Sequence, residues 1–405
     1  MKRIELLAPA GDWSRLKTAV ENGADAVYFG IKNMNMRDNA GNFEISELPV
    51  VMRYLYENNK KGYLTLNTIF YNSELGKLEK VMLAAKDAKV DAVICWDMAV
   101  FNLAKNAGIP IHISTQASVS NYQAFKFYSD LGAARIILAR ECSLADIHDI
   151  SRKAESDGLK CEIETFIHGA MCVSISGRCF LSADTFGKSA NRGQCLQPCR
   201  RLYKITDVED EENKYILGSD FILSPKDLCS IEILPKLIEA GISSFKIEGR
   251  IRPPEYVKAT VSCYRKALWA IESGDYTPLL IDELKTELSK IYNRGFSQGF
   301  YLGLEKDWIS RGLGARESKE YCGEVVKYYN KIQVAEFLIR SGSLKIGDKI
   351  LIYGKTTPAQ YSVITEIQIN HQSVELVNKG ERCGIKTSFT VRPRDKIFRI
   401  IDLEK

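Results

Sequence analysis

Up to Glu248 the chain alternates eight short β-rich runs with segments of helical periodicity, which confines it to a small set of α/β architectures. The runs are Ile4 to Leu7, Ala26 to Gly30, Tyr63 to Asn67, Ala92 to Trp96, Ile111 to Ser114, Arg135 to Ala139, Glu162 to Ile167 and Ser244 to Glu248. Between them, Trp13 to Asn22, Leu78 to Ala88, Tyr122 to Leu131 and Leu144 to Lys153 space their apolar residues as amphipathic helices do. Strand and helix in alternation imply a parallel sheet. Eight strands fit a TIM-like (β/α)8 barrel, which gathers its functional residues at the C-terminal strand ends. A doubly wound open sheet is the alternative.

The seventh and eighth runs are separated by far more chain than a βα connection needs, and long insertions of this kind are usually functional. Residues 171–230 are read as a cysteine-rich insertion within a barrel domain of residues 1–315. Two helices, Pro254 to Ser273 and Ile281 to Tyr292, follow the eighth run, and Ser310 to Ala315 reads as a linker. Over residues 316–405 short alternating strands with turns at Gly347-Asp348, Gly354-Lys355 and Gly380-Glu381 predict a small antiparallel β-barrel.

The composition, 45% hydrophobic and 26% charged, is that of a globular protein, and a formal charge of +5 is too mild to name a nucleic-acid partner. The first residues lack the apolar core of a signal peptide, and no run approaches the ~20 apolar residues of a membrane span. A cytoplasmic protein with no membrane partner is expected. In a reducing compartment its eleven cysteines are thiols or metal ligands rather than a disulfide framework.

Cys172, Cys179, Cys195 and Cys199 form a C-x6-C-x15-C-x3-C pattern among Gly169, Gly177, Gly187 and Gly193, which let the backbone turn tightly around one centre. Soft thiolates suit zinc or an iron-sulfur cluster, and the wide first spacing favours the cluster over the short ligand pairs of structural zinc sites. Cys229 competes for the fourth position. Cys95, Cys142, Cys161, Cys263, Cys322 and Cys383 read as core or incidental.

Asn67, Asp97, Gln116, Glu141, Glu164, His168 and Glu248 stand in or just beyond the ends of predicted strands, where a barrel brings such residues together. His168 could exchange protons beside the cysteines or bond a loop carbonyl. Lys246 and Glu248 alternate on one strand and so share a face, either lumen or helix layer. Arg178, Lys188, Arg192, Arg200, Arg201 and Arg250 supply cations suited to phosphates or carboxylates, unless they merely solvate a basic surface. Gly295-Phe296-Ser297-Gln298-Gly299 has the letters of a nucleophile elbow but follows a helix, and Gly187-Lys188-Ser189 lacks the earlier glycine of a phosphate loop.

The run from Glu164 to Ser182, Lys246-Ile247-Glu248-Gly249-Arg250, and Asn293-Arg294-Gly295-Phe296-Ser297 closely resemble the collagenase-like peptidase family U32. Within it, the length and the small C-terminal barrel resemble the branch of tRNA hydroxylation proteins, which help make 5-hydroxyuridine at the wobble position. Sister branches act on ribosomal RNA or in anaerobic ubiquinone synthesis. The resemblance implies a [4Fe-4S] cluster on Cys172, Cys179, Cys195 and Cys199, prephenate as the hydroxyl source, and dependence on iron-sulfur assembly machinery. In the ubiquinone branch the last ligand lies near the position of Cys229, so both options stand. The segment Leu344-Lys345-Ile346-Gly347-Asp348-Lys349-Ile350 also resembles the small β-barrel of translation factors.

These observations yield three expectations. One is a tRNA-hydroxylating enzyme with Glu164, His168, Lys246, Glu248 and Arg250 as catalytic residues and Arg178 and Arg192 holding the cofactor or co-substrate. Another is a peptidase acting on protein or peptide. The third is a cluster-carrying scaffold for RNA or quinone modification.

Overall fold

The computed structural model describes residues 3–206, 209–210, 212, 214–216, 223–303 and 314–403; part of the expected linker, 310–313, lies outside them. Seven parallel strands follow one another around a sheet: β1 (Glu5–Ala10), β2 (Ala26–Gly30), β3 (Lys61–Thr65), β4 (Ala92–Cys95), β5 (Ile111–Ile113), β6 (Arg135–Ile137) and β7 (Glu162–Ala170). The eighth strand, Ser244–Ile247, pairs in parallel with both β7 and β1, which closes the barrel. Closure excludes the open doubly wound sheet, since an open sheet has two unpaired edges.

β2, β4, β5, β6 and the eighth strand are buried along their whole length, as expected where helices cover the outside and side chains fill the lumen. The covering helices are α1 (Trp13–Glu21), α2 (Leu48–Glu57), α3 (Leu75–Asp87), α4 (Met98–Ala107), α5 (Tyr122–Leu131) and α6 (Leu144–Ser156). Their starts follow from local chemistry: Asp12, Asp97 and Asn121 each accept a first-turn N–H, and Ser143 with Asp146 forms a capping box.

The lower lumen holds an ionic lattice. Arg135 bonds Glu162 at 2.7 Å and Glu164 at 3.1 Å and also pairs with Glu5, while Glu164 accepts from Lys246 at 3.0 Å and Ser244 at 3.2 Å. Glu164 has no exposed surface, so its charge is tolerable only because these three donors satisfy it.

Between β7 and the eighth strand the chain forms an insertion over the C-terminal mouth, including the short helix α7 (Leu181–Phe186), and then runs back as Asp227–Cys229, antiparallel to the end of β7. Side chains from several barrel loops fasten it down. Arg192 makes two bonds to Glu74, Thr68 donates to the Asn191 carbonyl at 3.1 Å, and Glu141 accepts from the Ser176 N–H at 2.9 Å. Gly193 (φ +83°) lies so close to the β2–α2 loop that a Cβ would stand 2.2 Å from the Asn35 carbonyl oxygen. Only glycine permits that approach.

After α8 (Leu234–Glu239) and the eighth strand come α9 (Pro254–Ser273) and α10 (Pro278–Lys290). From Glu317 the chain forms an eight-stranded antiparallel sheet with its own core around Phe337, Ile350 and Ile397. This is the expected small antiparallel barrel in half-barrel form: its edge strands, Gln360–Val363 and Gln372–Val374, do not pair with each other. It docks on α1 and α9, where Ser14 donates to the Thr357 carbonyl and Lys258 to that of Ala359. Among the described residues no helix is long and apolar enough to cross a membrane.

Removing Arg135 strands Glu5 and Glu164 in the barrel floor. Arg135→Ala is expected to lower unfolding stability by about 3–5 kcal/mol in urea titrations. A loss below ~1 kcal/mol, the scale of an exposed pair, would show that the lattice is not stabilising the closed barrel.

Candidate functional site

A cavity of about 510 Å3 opens at the C-terminal mouth of the barrel, where the barrel loops, the insertion and the first strand of the C-terminal sheet meet. Cys172, Cys179, Cys195 and Cys199 all line it. Burial is the main cause pushing the pKa of the Cys199 thiol up; Arg200 opposes it, and the nearby Cys172, Cys195 and Cys179 add to it. Three of the sulfurs accept a backbone N–H from two residues onward, Ser174 to Cys172 at 3.5 Å, Leu181 to Cys179 at 3.4 Å and Gln197 to Cys195 at 3.4 Å. Such N–H groups stabilise thiolates and tune metal centres bound to them, so this donor set fits an iron-sulfur cluster. Among the described residues no three His, Cys, Asp or Glu side chains gather at single-ion spacing.

Cys229 is placed elsewhere. It is buried in the barrel core, opposite His168 in the strand pairing and 3.9 Å from the Tyr264 hydroxyl, and it does not line the cavity.

Glu248 leaves the eighth strand into the cavity wall. Its position is set by backbone contacts: its N–H bonds the His168 carbonyl at 2.9 Å, and Gly169 (φ +109°) packs where a Cβ would lie 2.5 Å from the Glu248 carbonyl oxygen. Arg37 reaches the Glu248 carboxylate at 3.1 Å and Arg140 at 3.5 Å. Burial by itself would raise this carboxyl, but Arg37, Arg140 and Arg250 outweigh it and hold it down at about 2. Glu248 is therefore an anion throughout the physiological range, suited to orienting guanidinium groups and unsuited to donating a proton. Arg250 is buried, donates to Thr65 at 2.7 Å, and is lowered to about 10 by burial.

Farther along the wall, Arg294 and Arg252 pair with the buried Asp227, the latter at 3.7 Å, and Arg200 donates to the Met171 carbonyl at 2.8 Å. Seven cationic side chains and three carboxylates line the cavity. That excess favours anionic ligands.

Several expected site residues stand elsewhere. Glu164 belongs to the ionic lattice below, and Lys246, its partner at 3.0 Å, faces a small cleft beneath the mouth rather than the cysteines. His168 does not line the cavity, because an extra residue in β7 at Ile167 shifts the register from Lys246–Phe166 to Ile247–His168 and turns the imidazole into the helix layer. There it packs on Tyr256, Tyr264 and Phe296, with its Nδ1 3.2 Å from the Tyr264 hydroxyl. Burial, reinforced by Arg252, lowers it to about 3, so it is neutral at physiological pH. Arg192 is held by Glu74 as a fastener of the insertion, and Arg178 is exposed, bonded to Ser118 at 2.9 Å.

Arg37 and Arg140 were not singled out in the sequence. Arg140 directly follows the sixth predicted strand, a position that marks it; Arg37 lies in a long loop with no such signal. Its turn is made locally, by the Asn35 side chain accepting from the Arg37 N–H at 2.9 Å and the Asn42 amide donating to the Arg37 carbonyl at 2.9 Å.

The site is thus a barrel mouth walled by four cysteines and a ring of arginines. The model of peptidase family U32 matches residues 11–309, and the chain belongs to that family. It is 44% identical over 404 residues to a protein of Methanocaldococcus jannaschii named as an uncharacterized protease, covering 98% of each chain. A collagenase of Porphyromonas gingivalis is 39% identical over 405 residues, covering 98% of this chain and 97% of that one. The tRNA hydroxylation protein P1 of Bacillus subtilis is 36% identical over 361 residues, covering 87% and 84%.

The buried neutral imidazole gives a pH test. With a folded value near 3 and an unfolded value near 6.5, the unfolded chain binds the extra proton first, so stability is full above about pH 6.5 and falls as pH drops toward 3. From about pH 7 to about pH 5, His168 should account for a loss of roughly 2 kcal/mol that is absent in His168→Gln. Equal pH slopes for the two proteins in urea denaturation would contradict its buried neutral state.

Proposed function

We propose that this chain is an RNA-modifying enzyme that hydroxylates a tRNA uridine without molecular oxygen, using a [4Fe-4S] cluster on Cys172, Cys179, Cys195 and Cys199 and prephenate as hydroxyl donor. The observation that carries the reading is the convergence of these four thiols on one cavity at the barrel mouth, with backbone N–H groups directed at three of the sulfurs. A relative named for tRNA hydroxylation, matched over most of both chains, supports the choice of substrate. The cytoplasm, where tRNA and cluster assembly are found, is the corresponding compartment.

A cluster bound there would supply redox or Lewis-acid chemistry at the cavity wall. The protein's own groups do the rest. Arg37, Arg140, Arg200 and Arg252 present guanidinium forks to an anionic co-substrate, and Glu248, ionised by its neighbours, fixes Arg37 and Arg140 in place. An anticodon-loop base, being unpaired, can be splayed into the cavity at modest cost.

The peptidase activity named for other relatives needs an activated nucleophile or a catalytic metal. None of the four histidines lines the cavity: His168 lies behind its wall, His112 at the opposite end of the barrel, and His148 and His371 on the surface. The cavity hydroxyls thus have no imidazole base.

Anaerobically prepared wild-type protein is expected to carry roughly four irons and four sulfides per chain. Cys172→Ala should lose them, and Cys229→Ser should keep them. Total tRNA from cells carrying Cys172→Ala should lack a nucleoside heavier than uridine by one oxygen atom. Zinc or no metal in the wild type would overturn the cluster and direct the work to cleavage of denatured collagen.

A further inference from the structure

The main cavity adjoins a second one of about 330 Å3, with Met36 and Gln116 in the wall of both. Its other prominent walls are the rings of Trp96 and Phe180. The Trp96 indole is half-buried and its Nε1 donates to the Asn67 carbonyl at 3.1 Å, which fixes the plane of the ring. Phe180 is 77% exposed, which leaves its ring accessible to a ligand. Arg178 stands over the Trp96 ring, 6.0 Å from its centroid.

Two amides complete the lining. The Gln116 carbonyl accepts from Ser114 and Asn67, and the Asn191 carbonyl accepts from the Cys179 N–H at 3.1 Å. Each side chain is therefore left with its NH2 as the available hydrogen-bonding end. Aromatic faces, amide donors and one cation suit a flat ring with acceptors on its edge and a phosphate attached.

We infer that this second cavity is a nucleobase subsite: it holds a base of single-stranded RNA next to the one presented to the main cavity, stacked against Trp96 and Phe180, with Arg178 at the phosphate. The inference rests on the RNA reading above and adds where the neighbouring nucleotide goes. Because Arg178 and Phe180 flank Cys179, a base held here is coupled through one residue of backbone to the cysteine site.

The test is titration of the full-length, anaerobically prepared protein with a uridine-containing single-stranded RNA heptamer, read by tryptophan fluorescence and by filter binding. Wild type should bind with quenching. Trp96→Phe should bind with similar affinity but lose most of the quenching. Phe180→Ala should bind roughly tenfold more weakly, the scale of one lost stacking contact, and Phe180→Tyr should restore binding. Phe180 is exposed and packs in no core, so its variants are expected to fold, and a far-ultraviolet circular dichroism spectrum matching wild type checks it. RNA bound equally by wild type and Phe180→Ala, with no Trp96 quenching, would overturn the subsite while leaving the RNA reading intact. Failure of the wild type to bind any RNA would overturn both.

Discussion

Everything at the functional end of this molecule depends on closure of the parallel sheet between β7 and the eighth strand. A parallel pair cannot be joined by a tight turn, so the connection must leave the sheet and return. Here it does so over the C-terminal mouth, and carries the four cysteines with it. The ionic lattice of Arg135, Glu164 and Lys246 sits directly beneath, tying β1, β6, β7 and the eighth strand together from inside the lumen. The barrel is the frame, and the insertion is fastened to it by bonds from its loops.

The cavity is built by three parts of the chain distant in sequence. The insertion contributes the thiols, the barrel loops contribute Arg37, Arg140 and Glu248, and the C-terminal half-barrel closes one side with Lys319 and Tyr361. Their electrostatics are interdependent: Glu248 and Asp227 hold the arginines, and Arg37 and Arg200 face the thiols. Burial strengthens each of these interactions and makes each unpaired charge costly, so the set is stable only when assembled.

Much of the framework was legible beforehand. All eight predicted runs are barrel strands, and Pro254 to Ser273 and Tyr122 to Leu131 match their helices at both ends, because apolar periodicity and capping residues act locally. β1 runs three residues beyond its predicted end, since Ala8, Pro9 and Ala10 pair with Val27, Tyr28 and Phe29, a long-range register that local pattern does not carry. The site was legible in part. A cysteine pattern survives as spacing, whereas Glu164, although its strand is evident from the sequence, serves the lattice because its donors come from β6 and the eighth strand.

The sequence by itself determined the alternation of strand and helix, the long insertion before the eighth strand, and the grouping of four cysteines among glycines, all of which rest on interactions within a few residues. Only the tertiary structure decided that Cys199 joins the cavity and Cys229 the core, that His168 faces the helices, and that Arg37 and Arg140 hold Glu248. Those outcomes depend on one extra residue in β7 and on loops brought together by closure. A single-residue shift in a strand reverses which face a side chain occupies, and nothing in the local chemistry of the chain records it.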